Sequence, residues 1–436
     1  MDSMTTPTGT RKVAPGRERA KGVTHRCVNC RRVSSHRFTP FCTECGGMVD
    51  VEYDLDRTRL RDSANPLERF FELLPIEHIE SLLPQEMRYS PCVHAVRLGA
   101  ALGMPSLYLK DETVLPTGTT KDRMAVVSLA FLWECGVRAF CTSSTGNSSS
   151  AYAHAVSRYP DCRIYLFTAE SFRDRVQYVS GDQVVSFVLR GASFVEAFNA
   201  AGAFATRHQL VSERGFFNPG RREGLKLAFL EAAEQVPSPI DWYVQAVSSA
   251  MGVYGTYKGA RELSGMGRIS RPPRLLCVQQ ETCAPMVRAF EAGSPVIRPS
   301  DIVPRPAGIA EAILRGDPTK AYPHVRGIVL ESNGGFVAVS EAEIREARCM
   351  VEELEGISPC FSASAALAGL IHLVRRGEFP RGDTVLINLT GSDRQPSAAP
   401  TRIHWLKGSG SEWEPEDPTD ETAQALWYGT AAKDRS

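Results

Sequence analysis

No stretch of this 436-residue chain approaches the roughly 20 consecutive apolar residues that a bilayer-spanning helix needs, which excludes such a helix. A surplus of one charge is missing too: 50 Lys and Arg face 50 Asp and Glu, so the formal net charge is zero. Without a basic excess the chain lacks the electrostatic footprint of a nucleic-acid or membrane-surface binder, and a small-molecule partner is expected. The basic segment from Met1 to about Lys21 has no apolar core of the kind a secretory signal carries. Its Thr, Pro, Gly and Arg predict a disordered tail over residues 1–23. No internal repeat is visible, nor a GxGxxG fingerprint, nor a P-loop with its terminal GK[ST]. With 43 % hydrophobic and 23 % charged residues, the remainder is an ordinary folded chain, long enough for two or three domains.

Of the twelve cysteines, eight are scattered singly, Cys135, Cys162 and Cys277 among them. Buried free thiols in a reducing, cytoplasmic setting account for these better than disulfides. The other four form two knuckles, Cys27-x-x-Cys30 and Cys42-x-x-Cys45, separated by eleven residues. Paired knuckles set four thiolates in a tetrahedron around one zinc, which supplies folding energy to a segment too small for its own core. The alternative is a ribbon that keeps its cysteines without metal. Either way a small zinc-ribbon-like segment over residues 24–56 is expected to be structural, since four thiolates leave no open position for catalysis.

From Leu107 onward short apolar runs alternate with longer amphipathic ones. "SLYLK" (106–110), "AFCTS" (139–143), "RIYLFT" (163–168), "WYVQAV" (242–247), "RLLCVQ" (274–279) and "DTVLINLT" (383–390) read as strands. Between them the pattern predicts helices over Lys121 to Cys135, Ser148 to Tyr159, Tyr254 to Leu263 and Ala363 to Arg376. Asn65 to Ser90 reads as a helix and a connector. The rhythm is that of βαβ units on a parallel sheet. The acidic, Pro-containing stretch after Ile403 predicts an irregular tail over 404–436.

Three segments carry chemistry. "PTGTTKDRM" (116–124) sets Lys121 at a helix start behind a Thr/Gly turn. "SSTGNSSS" (143–150) and "SSAMGVYGTYKG" (248–259) each follow a strand and open a helix, where backbone N–H groups suit an anion and glycines let it approach. Each loop alone is a common strand-to-helix turn. Two anion cradles and a helix-start lysine together call for a reactant pair that carries both anions and a carbonyl. Pyridoxal phosphate with an amino acid meets that requirement.

From about Cys27 to Asp393 the chain resembles the threonine synthase family of fold-type II pyridoxal-phosphate enzymes. "LYLKDETVLPTGTTKDR" (107–123) resembles that family's lysine motif, "SSTGNSSSAYA" (143–153) its asparagine loop, "VSSAMGVYGTYKGAREL" (247–263) its phosphate loop and "LINLTGSDR" (386–394) its closing motif. The resemblance implies an α/β fold like that of the tryptophan synthase β chain, with two doubly wound parallel-sheet domains. The catalytic core would span 57–403, with a smaller domain of about 125–230 inserted in the larger. Lys121 would then carry the cofactor as a Schiff base and later take the α-proton. Asn147 would bond the ring hydroxyl, Gly252, Val253, Tyr254, Gly255 and Thr256 would cradle the phosphate, and Thr390 would face the ring nitrogen. Ser144, Thr145 and Ser148, with Thr120, would bind the substrate. A homodimer is the family habit.

The sequence departs from that family at positions of which several are expected near the substrate side chain. Thr119 and Thr120 replace the usual Ser and Phe, Met124 a Gly, and Cys360 and Phe361 an acidic residue and a Pro. Ser248-Ser249-Ala250 stands where Gly and Asn are usual. The implied reaction is β- or γ-replacement or elimination on a phosphorylated or acylated serine or homoserine. Cysteate-synthase-like sulfite addition, a threonine or serine dehydratase, and a non-catalytic binding protein of the same fold are the alternatives.

Overall fold

A computed structural model describes residues 22–34, 38–82, 87–176, 182–393, 403–410 and 412–429. The expected N-terminal tail falls almost wholly outside these. The chain opens on an antiparallel pair, β1 (Val23–Cys27) and β2 (Val49–Tyr53), which flank the cysteine knuckles. The predicted helix after Asn65 is one turn, α1 (Pro66–Arg69), capped by the Asn65 side chain. Next come β3 (Cys92–His94), α2 (Val96–Leu102), β4 (Leu107–Asp111) and α3 (Lys121–Glu134).

The chain continues through β5 (Ala139–Ser143), α4 (Asn147–Val156), β6 (Arg163–Ala169), β7 (Val184–Leu189), α5 (Phe194–Arg207) and β8 (Val211–Ser212). Two short helices, α6 (Pro219–Leu225) and α7 (Leu227–Gln235), lead to β9 (Trp242–Ala246), α8 (Met251–Gly265) and β10 (Arg274–Gln280). Then follow α9 (Pro285–Glu291), α10 (Tyr322–Glu331), β11 (Gly335–Val339), α11 (Glu341–Glu355), α12 (Phe361–Arg375) and β12 (Val385–Leu389).

One sheet runs β11-β10-β9-β12-β4-β3, all parallel except the edge strand β3. Its central strands are buried on both faces, as helices above and below require. Val385 to Leu389 of β12 are all buried. The second sheet runs β14-β13-β7-β6-β5-β8 and is completed from the C-terminus by β13 (Ile403–Ser409) and β14 (Glu412–Pro415). β13 pairs parallel with β7, and α13 (Glu421–Tyr428) closes the chain.

The tail expected to be irregular is therefore ordered over most of its length. Its acidic residues alternate with apolar ones that reach the core. Leu406, Trp413 and Trp427 are buried, and Trp427 packs its ring on Phe187 and Phe204 at 5.5 and 5.4 Å. Net acidity hid the period-2 pattern of β14 and the apolar face of α13. Residues 430–436 lie outside the described residues.

The cysteine segment is anchored to α6 and α8 through buried charge. Asp50 on β2 receives Arg222 Nη2 at 3.0 Å and the Tyr254 hydroxyl at 3.2 Å, and Tyr53 donates to Glu223 at 2.7 Å. Lys226 binds Glu223 at 2.5 Å and Glu262 at 2.7 Å. Burial, reinforced by Glu223 beside it, pushes the Glu262 carboxyl up to about 7 despite Lys226 and Lys258. A carboxyl held above its unfolded value of about 4.3 stabilises the fold below that pH and loses the contribution as pH rises through the folded value. Between about pH 4.3 and 7, wild type should therefore lose stability relative to Glu262→Gln. Urea midpoints of the two proteins across that window check this, and parallel curves would contradict it.

Candidate active site

The four cysteines converge as their spacing requires. All four Sγ atoms lie within 4.8 Å of one another, with Cys27 to Cys45 at 3.4 Å and Cys30 to Cys42 at 3.6 Å. Burial raises the Cys27 thiol, but the backbone N–H groups of Cys30 and Asn29 outweigh it and bring it down to about 7. The Cys45 and Glu44 backbone N–H groups lower Cys42 in the same way. These N–H groups favour the thiolate, the form a metal takes, at Cys27 and Cys42. At Cys30 the Arg32 N–H is outweighed by the neighbouring cysteines and burial, which push it up to about 12. A four-thiolate metal site fits this geometry.

A single cavity is lined by segments that follow the carboxyl ends of β4, β5, β9 and β12, the edge where open α/β sheets hold ligands. Lys121, Ser144, Thr145, Asn147, Ser148, Gly252 and Thr390 all line it. These come from sequence positions up to 269 residues apart (Lys121 to Thr390), brought together only by the sheet order.

Lys121 is the first residue of α3. Behind it the Thr-Gly turn is held from within: the Asp122 carboxylate accepts the Thr117 N–H and hydroxyl, both at 2.7 Å. Gly118 adopts φ +67°, a left-handed conformation in which a side chain would also meet Ser392 Oγ. The turn is then zipped to the end of β12. Thr120 N–H donates to the Thr390 carbonyl at 2.9 Å, and Ser392 N–H to the Gly118 carbonyl at 2.9 Å. Thr120 is buried in this role and is not on the cavity wall, where Thr119 stands instead.

α3 itself is buried from Asp122 to Leu132. Beneath Lys121 sits a closed ionic network. Arg123 binds Glu112 through Nε at 2.7 Å and Glu231 through Nη2 at 2.8 Å, and Lys110 binds Glu231 at 2.8 Å. All four side chains are fully buried. The Lys110, Glu112 and Arg123 of the lysine motif are thus the footing of the helix that presents Lys121.

The Asn147 loop is organised by Ser144. Its Oγ accepts the N–H groups of Gly146 at 3.1 Å and Ser149 at 3.0 Å, capping α4 from inside. Gly146 has φ +119°, and a Cβ there would meet the Arg175 carbonyl oxygen at 2.8 Å. Ser148 Oγ receives Arg221 Nη1 at 3.3 Å. Arg221, whose charge is neutralised by Glu213 at 2.5 Å, lines the cavity unannounced by any motif. The only signal in the sequence was a doubled arginine behind Asn218-Pro219 at a helix start.

Of the residues expected to cradle a phosphate, Gly252 to Thr256, only Gly252 lines the cavity. α8 begins at Met251, and the cavity is lined by Ser248 to Gly252. Tyr254 N–H is already used by the Ala250 carbonyl at 3.0 Å, and the Tyr254 ring faces Asp50 of the cysteine segment. Val253, Gly255 and Thr256 are buried and off the wall, and a Cβ on Gly255 would collide with the Arg222 carbonyl. That glycine serves helix packing. Ala250, at the cap, adopts φ +56°. A left-handed non-glycine residue costs roughly 1–2 kcal/mol, part of which glycine's greater unfolded freedom returns. Ala250→Gly should raise stability by about 0.5–1 kcal/mol. An unchanged or lower denaturant midpoint would count against strain at this cap.

The pyridoxal-phosphate dependent enzyme family model matches residues 83–391. The chain belongs to this family. Its members with similar sequences include a threonine synthase of Methanosarcina acetivorans, 30 % identical over 84 % of this chain and 90 % of that one. A cysteate synthase of Methanospirillum hungatei is 27 % identical over 85 % and 90 %. Among solved structures, a threonine deaminase of Solanum lycopersicum superposes with a TM-score of 0.58 at 19 % identity, over 72 % of this chain and 86 % of that one. Threonine synthase from Escherichia coli gives 0.56 at 14 % identity, over 73 % and 77 %. The fold is the fold-type II arrangement of these pyridoxal-phosphate enzymes, preceded by the four-cysteine segment. Among the described residues no helix is long and apolar enough to cross a membrane.

Proposed function

We propose that this chain catalyses replacement or elimination at the β- or γ-carbon of an activated amino acid, with Lys121 carrying the cofactor. The observation that carries this reading is the convergence of Lys121, Asn147, Ser148, Thr390 and the Ser248–Gly252 turn on one cavity. The donor set suits pyridoxal phosphate: hydroxyls and first-turn N–H groups for a phosphate, an amide beside the lysine, and a neutral hydroxyl at Thr390. When bound, the cofactor supplies a carbonyl for the amine and a ring that draws electrons from the α-carbon.

The chain's own groups do the rest. Lys121 Nζ would hold the cofactor, and the same amine would serve as acceptor for the substrate's α-proton. First-turn donors of α4 at Asn147 and Ser148, with Thr145, take the substrate carboxylate. Ser144 serves this loop by holding its shape. Thr390, an uncharged hydroxyl on the cavity wall, would face the ring nitrogen without supplying a charge to protonate it. Ser248 to Gly252, with the N–H of Val253 in the same first turn, take the cofactor phosphate. The four cysteines would hold zinc in a structural site.

Turnover of O-phosphohomoserine, O-phosphoserine and O-acetylserine, alone and with sulfite, tests the reaction. Release of the leaving group with formation of threonine, cysteate or a keto acid assigns the chemistry. A cofactor-loaded protein inert toward the whole panel would contradict the reading. Sulfite addition is the second reading, favoured by the likeness to cysteate synthases at 25–27 % identity.

A further inference from the structure

Two aromatic rings and one guanidinium on the cavity wall have no part in the chemistry above. Phe194 and Phe198 stand one turn apart at the start of α5, with ring centroids 6.4 Å apart, and both line the cavity. Phe198 is 38 % exposed. Arg315 lies on the segment after Ala312, also on the cavity wall, with its guanidinium 5.7 Å from the centre of the Phe194 ring. Its Nε donates to the Asp317 carbonyl at 3.2 Å, while the Asp317 carboxylate is taken by the Thr319 N–H and hydroxyl at 3.0 and 2.6 Å. Among the described residues, no carboxylate forms an ion pair with Arg315.

The contrast with Arg221 decides what this wall can bind. Glu213 neutralises Arg221 at 2.5 Å, so of these two cavity guanidiniums Arg315 is the one with no carboxylate in an ion pair. Burial holds it below the ordinary guanidinium range, offset only by the charge of Asp317. A planar fork held by one backbone carbonyl and paired with no carboxylate suits an oxyanion, and suits it better than a lysine would. The rings add a requirement. Water or a bare inorganic anion gains nothing from two aromatic faces, whereas an apolar or aromatic body buries surface against them.

We infer that Arg315, Phe194 and Phe198 form a subsite for a second, organic reactant that carries a carboxylate on an apolar or aromatic body and enters as the nucleophile. The inference rests on the proposed function, since it concerns the partner in the replacement step. The carboxylate only binds. At the other end of the reactant a thiol or amine forms its bond to the substrate's β- or γ-carbon. The leaving group departs from that carbon with the bonding electron pair and takes up the proton released by the thiol or amine.

Calorimetric titration of the holoenzyme with benzoate and with benzamide, its uncharged counterpart, tests this subsite. Wild type should bind benzoate at least about tenfold more tightly, the range of a hydrogen bond to a charged group. Arg315→Met and Arg315→Gln should each abolish that preference, Arg315→Lys should keep part of it, and Phe198→Ala should weaken both ligands. Saturating L-serine should leave benzoate affinity within about threefold, because the two occupy different parts of the cavity. The inference is overturned by a preference that survives both neutral variants, by the absence of benzoate binding, or by competition with L-serine. The proposed function fails separately, if no amino acid perturbs the visible absorption of the bound cofactor.

Discussion

Lys121→Ala should fold normally and lose turnover by at least about a thousandfold, within the range of a removed general acid–base group. Two roles vanish with one side chain: the covalent hold on the cofactor and the amine placed at the α-carbon. The fold should be indifferent, because the turn around the lysine is fixed by others. Asp122 holds Thr117, and backbone bonds tie Thr120 to Thr390 and Ser392 to Gly118. Initial rates on the best substrate, with far-ultraviolet circular dichroism as the control, check this. A folded variant within tenfold of wild type would remove Lys121 from the mechanism.

Glu231→Ala should destabilise the protein by about 3–5 kcal/mol, the cost of breaking a buried ion pair from one side. Lys110 would keep only the Ser90 carbonyl at 2.7 Å and the Gln235 side chain at 2.8 Å, with no carboxylate. Arg123 would keep Glu112 but lose both bonds to Glu231. The Ser90 N–H, at 3.1 Å from Glu231, would also lose its acceptor in a buried setting. The loss comes from stranded charge, so replacing Lys110, Arg123, Glu112 and Glu231 together by apolar residues of similar volume should cost far less. Denaturant midpoints of the two variants separate these effects. A loss under about 1 kcal/mol for Glu231→Ala would show that the network adds little to the footing of α3.

The parts of this fold that local pattern could reach were legible from the residues. All six named strands and the Lys121 helix occur within two residues of their expected ends, since period and turn chemistry are local signals. α8 shows where that ends. Gly252 and Gly255 read as loop, so the helix was expected from Tyr254, yet it starts at Met251. These glycines answer to neighbours distant in sequence: a Cβ on Gly252 would sit 2.7 Å from Gln245 Nε2, and one on Gly255 would strike the Arg222 carbonyl. The same limit hid the network under Lys121, whose members Arg123 and Glu231 are 108 residues apart. It hid Arg221 and Arg315, which become site residues only once the second sheet is assembled. In the C-terminal segment an averaged acidity concealed Trp413 and Trp427, each placed where the chain turns its face inward.

The central claim, that Lys121 and the segments converging on it bind pyridoxal phosphate and present it to an amino acid, has one direct measurement. The visible absorption spectrum of the purified protein should be recorded with added pyridoxal phosphate, then with O-phosphohomoserine, O-phosphoserine and O-acetylserine in turn. A band from protein-bound cofactor that is absent in Lys121→Ala, and that moves to longer wavelength with one of these amino acids, is the expected result. A protein that takes up no pyridoxal phosphate, or whose band persists unchanged in Lys121→Ala, would contradict the account.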